Sequence, residues 1–165
     1  MADAAAALLS SSIAPIRKIL VPVDGSGASV KALQYAAHLA ELEDSNAELI
    51  VVHALEDVKQ GGAIGLQAKY GNVRLVEGFK RARREAASEW LKQIEEAARK
   101  KGIRIKSEVL DGDSKAGVII DYAGENRVDL IVVGSRGLTG FKRFLLGSVS
   151  NAIVGNAPCP VMVVR

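Results

Sequence analysis

The stretch IVVGSRGLTGFKRFLLGSVSNAI, residues 131–153, decides how the rest of the chain is interpreted. Its first three residues are an apolar run typical of a buried strand. Glycines follow that run at Gly134, Gly137, Gly140 and Gly147. Glycine loses the most backbone freedom on folding, so this density indicates positive φ angles or close approach of a ligand to the main chain. A loop that leaves a strand and enters a helix directs bare N–H groups and the positive end of the helix dipole into one space, which suits phosphate.

The spacing of this loop is Gly134, two residues, Gly137, nine residues, then Gly147 and Ser148. It lacks the Gly-Lys-Ser/Thr of a Walker loop and the three close glycines of a dinucleotide fingerprint. Ser148 is predicted to cap the helix that follows, and Ser150 supplies a second hydroxyl. The pattern resembles that of the universal stress protein family, and specifically of its ATP-binding branch. The resemblance covers nearly the whole chain from residue 18 to residue 165.

Outside the glycine loop, apolar runs alternate with helical patterns. The predicted strands are 18–23, 48–53, 103–110, 129–133 and 161–164, and the predicted helices are 28–42, 73–101, 115–126 and 148–156. This alternation predicts an α/β fold with a doubly wound parallel sheet. The resemblance implies three layers, five strands in the order 3-2-1-4-5, and the fold of the adenine nucleotide alpha hydrolases. Ligands of such sheets bind beyond the carboxyl ends of the strands where the order reverses, so Asp24 and the Gly134 loop should share a crevice.

Periodicity also predicts which helix faces are buried and which strand lies at an edge. The inner face of helix 28–42 is predicted to carry Val30, Leu33, Ala37, Leu39 and Ala40. That of helix 73–101 is predicted to carry Val76, Phe79, Ala86, Trp90, Ile94 and Ala97, with Gly102 as its stop. Strand 103–110 alternates apolar with polar residues, which predicts an edge position. The connection 54–72 is long enough to predict a functional or disordered segment.

Composition bounds the class of protein. The 165 residues suit one domain at 18–165, preceded by a flexible Ala/Ser-rich tail at 1–17. A net charge of +3, with 4% aromatic residues and no recognised motif, does not indicate a nucleic-acid binder, and the basic cluster 79–84 is expected to be a solvated helix face. One cysteine and two histidines make a metal centre built from protein ligands unexpected. No apolar run approaches about 20 residues, so we expect a cytoplasmic protein without a membrane segment.

The family resemblance implies a set of nucleotide-binding residues. It places Asp24 near the ribose or a magnesium-bound phosphate; the alternative is a turn aspartate bonded to its own backbone. The main chain of Ala54 is expected to meet the adenine, and Arg136 either pairs with phosphate or points to solvent. The remaining implied ligand contacts are Pro22, Val23, Val133, Gly134, Ser135, Gly137, Gly147, Ser148, Val149 and Ser150.

The resemblance implies a nucleotide-dependent regulatory or stress-response protein that binds ATP, or AMP or ADP, with or without Mg²⁺. No nucleophile, base and orienting group can be recognised from the spacings. Two alternatives stay open: a slow ATPase or self-phosphorylating enzyme with Ser148, Ser150 or Thr139 as acceptor, and an interaction module that does not use nucleotide. The family's dimers use the last strand, so residues 161–164 are expected to form a homodimer; the alternative is a last strand covered within the monomer. Any further protein partner is unidentified.

Overall fold

The computed structural model describes residues 15–42, 47–57, 73–136 and 146–165. The strands are β1 (Lys18–Pro22), β2 (Glu48–Glu56), β3 (Ile105–Gly112), β4 (Leu130–Gly134) and β5 (Val161–Val164). The helices are α1 (Gly27–Leu42), α2 (Val73–Lys100), α3 (Lys115–Glu125) and α4 (Ser148–Asn156).

The five strands form one parallel sheet in the order β3-β2-β1-β4-β5, which confirms the predicted fold class. The central strands β1 and β4 are buried along most of their length, because helices cover both faces of the sheet. In β1, Ile19 lies opposite Leu49 on one side and Leu130 on the other. Strand β3 alternates half-buried with exposed residues over its first half, as its predicted edge position requires.

Two hydrophobic cores, one on each face of the sheet, join the three layers. Strand residues such as Val21 and Val51 pack on one face with α1 and α2, whose buried side chains there are Ala32, Ala36, Ala87 and Leu91. On the other face, residues such as Ile50 and Ile131 pack with α3 and α4, which contribute Ile119, Tyr122, Ala123 and Ile153. The sheet therefore holds the four helices of the described residues at fixed positions relative to its carboxyl ends.

Several strands and segments begin or end at residues other than those predicted. Strand β2 continues to Glu56, three residues beyond its predicted end, because it pairs with β3 as far as Gly112. The predicted connection 54–72 thus begins as strand, and its residues 58–72 lie outside the described part of the chain. So do residues 1–14 of the predicted tail, whereas Ile16 already packs against the core.

The predicted inner faces of the two long helices were partly wrong. In α1, Ser29, Ala32 and Ala36 are buried, whereas Val30 is 47% exposed. In α2, Ala87, Leu91 and Ala98 are the buried residues, and the predicted Phe79 is 41% exposed. Ala86 and Ala97 are also exposed, whereas Val76, Trp90 and Ile94 are half-buried. The errors at Val30, Ala86 and Ala97 are each a rotation by one residue, or about 100° around the helix axis, whereas Phe79 has exposed neighbours on both sides.

In the four described stretches, no helix combines the length and the apolar character needed to cross a membrane.

Candidate functional site

A crevice of about 360 Å³ opens at the carboxyl ends of β1 and β4. The chain runs outward from β1 to β2 on one side and from β4 to β5 on the other, so this is the point at which the strand order reverses. Most of the site residues expected from the sequence line it: Pro22, Val23, Asp24, Ala54, Val133, Gly134, Arg136, Gly147, Ser148, Val149 and Ser150. Gly137, like Thr139, lies outside the described residues.

The turn between β1 and α1 holds Asp24 at the rim of this crevice. The Asp24 carboxylate accepts a hydrogen bond from the Ser26 backbone N–H at 3.0 Å, and the Asp24 N–H donates to the Ser29 hydroxyl at 3.3 Å. Ser26 caps α1, since its hydroxyl accepts from the Ser29 N–H at 3.2 Å. The two interpretations of Asp24 are thus compatible: it bonds its own turn and also lines the crevice.

Gly134, the first glycine of the motif, is required by helix packing. A Cβ atom built on it would lie 2.6 Å from the Ala28 carbonyl carbon and 2.8 Å from the Ser29 nitrogen. Both are backbone atoms at the start of α1, so neither can move aside as a flexible side chain does. Its φ angle is not positive, in contrast to those of Gly25 and Gly102. Glycine is therefore required at this position by contact with the backbone of α1. The sequence had suggested a different reason, the close approach of a ligand.

Helix α4 presents its first turn to the crevice. Gly147 is the N-cap and Ser148 is the first helical residue, so the predicted capping role of Ser148 was wrong. The first bond of the helix runs from the Asn151 N–H to the Gly147 carbonyl at 2.8 Å. The N–H groups of residues 148–150 precede that bond and have no acceptor within the helix. The Ser150 hydroxyl donates to the Gly134 carbonyl at 2.7 Å, which leaves its oxygen only as an acceptor.

Ser135 does not line the crevice and instead ties its borders together. Its N–H donates to the Val164 carbonyl at 2.6 Å, and its carbonyl accepts from the Gly147 N–H at 2.9 Å. It thereby fixes the start of α4 and the end of β5 relative to β4. The Ser26 hydroxyl adds a link from the α1 turn to the Arg136 carbonyl at 3.2 Å.

Sequence reasoning did not assign five residues that line the crevice: Ser29, His53, Glu56, Lys115 and Ile119. Glu56 is the last residue of β2, and Lys115 and Ile119 lie one turn apart at the start of α3. The parallel sheet could have indicated the residues at the ends of β2 and β3, because these ends reach the same edge of the sheet as those of β1 and β4. The charged side chains of the lining are Asp24, Glu56, Lys115 and Arg136, two of each sign. The site is thus close to neutral.

In the described part of the chain, no group of three or more His, Cys, Asp and Glu residues could hold a metal ion. Asp24 at the rim can supply one carboxylate. That is sufficient for Mg²⁺ held mainly by the phosphates of a ligand, since this ion usually binds through one or two carboxylates and phosphate oxygens.

Comparison with known proteins identifies what the chain resembles. The model of the universal stress protein family matches residues 15–165. The universal stress protein YxiE of Bacillus subtilis is 39% identical over 152 residues, covering 90% of this chain and 98% of its own. A universal stress protein of Methanocaldococcus jannaschii is 36% identical over 149 residues, covering 90% of this chain and 82% of its own.

Solved structures share the fold. UspA from Lactobacillus plantarum has a TM-score of 0.76 and 27% identity, covering 93% of this chain and all of its own. A universal stress protein solved in complex with cAMP has a TM-score of 0.56 and 22% identity, covering 92% and 98% of the two chains. One from Archaeoglobus fulgidus in complex with dAMP has a TM-score of 0.59 and 23% identity, covering 92% and 100%.

Proposed function

Because this chain belongs to the universal stress protein family, we propose that it binds an adenine nucleotide, ATP or AMP, and acts as a nucleotide-dependent regulatory protein. The observation that carries the proposal is the convergence of three features on one crevice. These are the Asp24 turn, the main chain around Gly134, and the bare N–H groups at the start of α4.

The lining suits the separate parts of such a ligand. Ala54, Ile119 and Val133 are buried apolar residues of the lining, which suit contact with a purine base. The first turn of α4 offers N–H donors and a positive dipole end to the phosphates. The Asp24 carboxylate would accept hydrogen bonds from ribose hydroxyls or help hold Mg²⁺ bound to the phosphates.

The relatives solved with cAMP and dAMP indicate that this fold accommodates adenine nucleotides. Their sequence identity to this chain is low, so they support the assignment of the fold but not the choice of ligand. The proposal therefore depends on the residues of the crevice, and it is tested on them.

The test is to purify the protein without added nucleotide, denature it, and identify the released small molecules by mass spectrometry. The key variant is Gly147→Val. Gly147 lines the crevice and has φ −62° and ψ 157°, a conformation open to any residue, so we expect the backbone to accept valine and the added side chain to interfere with the ligand. The matched control is Gly155→Val in the same helix, where an added Cβ meets no atom within 4 Å.

We expect ATP, ADP or AMP from the parent and the control, and none from Gly147→Val. A parent that is empty, and that also fails to bind added ATP by calorimetry, would exclude nucleotide binding. It would leave the interaction module as the function of this fold. Equal affinity for a partner with and without nucleotide would remove the regulatory part, since a ligand shifts only states that it binds unequally.

We further propose a homodimer that forms through β5. This strand lies at the end of the sheet with β4 on one side, and no other described strand lies on its other side. Pairing with a second copy would satisfy its outward backbone groups and create a two-fold interface.

A further inference from the structure

His53 lies near the carboxyl end of β2, outside the glycine motif, and borders the crevice. Its neighbours Val52 and Ala54 belong to the core on the α3 and α4 side of the sheet. Because side chains alternate along a strand, the imidazole of His53 lies on the opposite face, towards α1 and α2. It is half-buried there, between the Asp24 turn and the long helix.

The imidazole is hydrogen-bonded to the backbone that leads into this turn. His53 Nδ1 lies 2.7 Å from the Val23 carbonyl oxygen. A carbonyl oxygen only accepts, so Nδ1 carries the proton and donates it. The bond joins β2 to the residue directly before Asp24. It lies next to the last main-chain link between the two strands, from the Val23 N–H to the Val52 carbonyl at 2.8 Å.

Trp90 of α2 completes this support. Its ring meets the His53 ring edge to face, with the ring centroids 5.3 Å apart and the planes at 85°. A Cβ built on Gly25, the next residue after Asp24, would lie 3.8 Å from the Trp90 ring. Gly25 has φ +82°, so the turn itself depends on a backbone conformation that L side chains rarely adopt. The His53 ring, which also borders the crevice, and the Trp90 ring thus lie against the backbone around this turn.

We propose that His53 is a positioning residue of the nucleotide site, which holds the Asp24 turn in its binding geometry through the Val23 carbonyl and the Trp90 ring. This inference rests on the proposed function, because it assigns a role within the same site. Without the Nδ1 donor, the Val23 carbonyl loses its partner and the carboxylate of Asp24 samples positions unsuited to the ligand. Loss of this donor should therefore mainly weaken the binding of the ligand.

The test compares His53→Phe, which keeps an aromatic ring but removes the donor, with His53→Asn, whose amide nitrogen can occupy the place of Nδ1. His38→Asn is the matched control, because His38 is the other histidine and is exposed on α1. We expect ATP to bind His53→Phe about tenfold more weakly, as for loss of one hydrogen bond to a placed group. His53→Asn should recover most of that loss, and His38→Asn should bind as the parent does.

A double-mutant cycle with Asp24→Asn separates positioning from general packing. If His53 acts through Asp24, His53→Phe should cost much less affinity in the Asp24→Asn background than in the parent. Equal losses in both backgrounds would overturn the proposal, as would a His53→Phe protein that binds ATP like the parent. Failure of His53→Asn to recover affinity would also overturn it, because a donor to the Val23 carbonyl would then not be sufficient to hold the turn.

A parent that binds no nucleotide would refute the proposed function. Hydrogen exchange then still decides the structural part of the inference, because it needs no ligand. The amides of Asp24, Ser26 and Ser29 should exchange faster in His53→Phe than in the parent or His53→Asn. Unchanged exchange at these three amides would show that His53 does not hold the turn.

Discussion

Among single residues, Gly134 gives the sharpest test of the packing described above. An Ala side chain there would press against the backbone of Ala28 and Ser29. We expect Gly134→Ala to lower the free energy of unfolding by roughly 1–3 kcal/mol, as overpacking of a tight core does. Denaturant unfolding of the protein without ligand measures this.

The control is Gly27→Ala, the first residue of α1, where an added Cβ meets no atom within 4 Å. The free energy of unfolding of Gly27→Ala should stay within about 0.5 kcal/mol of that of the parent. A Gly134→Ala protein of parental stability that has lost only nucleotide binding would contradict the packing explanation. It would restore ligand approach as the reason for this glycine.

Tyr122 predicts how stability depends on alkaline pH. Burial, and a hydrogen bond of 3.0 Å donated to the Glu108 carboxylate, raise the pKa of Tyr122 from 10.0 to about 12. The folded protein therefore keeps this proton where the unfolded chain loses it. The resulting stabilisation is complete below pH 10 and is lost as the pH rises to about 12.

We expect Tyr122→Phe to lose less unfolding free energy between pH 9 and pH 12 than the parent, by on the order of 1–2 kcal/mol. The comparison of the two proteins cancels the titration of the other tyrosines and the lysines. Unfolding measured at several pH values checks it, with Tyr35→Phe as the control because Tyr35 is 57% exposed. Parallel pH profiles for parent and Tyr122→Phe would refute the prediction.

Among the elements, helix α2 contains a matched pair of glycine positions. Gly102 ends it with φ +76°, and the bonds from Gly102 N–H to Arg99 and from Ile103 N–H to Ala98 form a Schellman motif. Gly78 lies within the helix, is exposed, and has open space around its Cβ position. The same substitution should therefore have opposite signs at the two positions.

We expect Gly102→Ala to destabilise by about 1–2 kcal/mol, the cost of a left-handed conformation for an L residue. Gly78→Ala should stabilise by about 0.4–1 kcal/mol, because it reduces the freedom of the unfolded chain. Thermal unfolding of the two variants beside the parent measures both signs. A shift of the melting temperature in the same direction for Gly102→Ala and Gly78→Ala would contradict this description of the helix end.

The sequence predicted the existence and order of the nine helices and strands in the described residues, but not which faces of the two long helices are buried. In α1 the buried residues are small, and one of them is Ser29, whose hydroxyl donates to the Ser26 carbonyl at 2.9 Å. A hydrophobicity pattern ranks Val30 above Ser29, although the tight approach of helix to sheet favours the smaller residue. In α2, Ala87 and the larger Leu91 are buried, whereas Phe79 is exposed together with its neighbours in the chain.

In the molecule as a whole, the proposed dimer is tested at Val163. The carbonyls of Pro160 and Val164 both accept bonds from the β4 side, and the backbone groups of a parallel strand alternate between its two sides. The N–H of Val163 therefore points outward. Proline at this position removes that donor without removing a bond within the monomer.

We expect Val163→Pro to be monomeric at concentrations where the parent is dimeric, as measured by sedimentation. Its far-UV circular dichroism should match that of the parent, because the sheet within the monomer is kept. Met162→Pro serves as the contrast, since it removes a donor on the β4 side and should also lower the melting temperature. A Val163→Pro protein that remains dimeric would place the interface elsewhere.

The sequence predicted the location of the candidate site better than its details. The reversal of strand order follows from the family resemblance, and it brings residues from three separate loops to one edge. What it did not reveal depends on distances between elements far apart in the chain. The contact of Gly134 with Ala28 joins residues more than a hundred positions apart, and the bond between His53 and Val23 joins β2 to the residue that follows β1.

The contact at Gly134 has a consequence for how descendants of this chain would evolve. A lineage that stopped using its ligand would be free to replace Gly147, whose backbone angles suit any residue. Gly134 would stay, because its selection comes from the helix behind it and acts on every folded copy. The two glycines of one motif would thus be replaced at different rates. Gly134 would indicate only common descent, whereas Gly147 would indicate whether the crevice still binds a ligand.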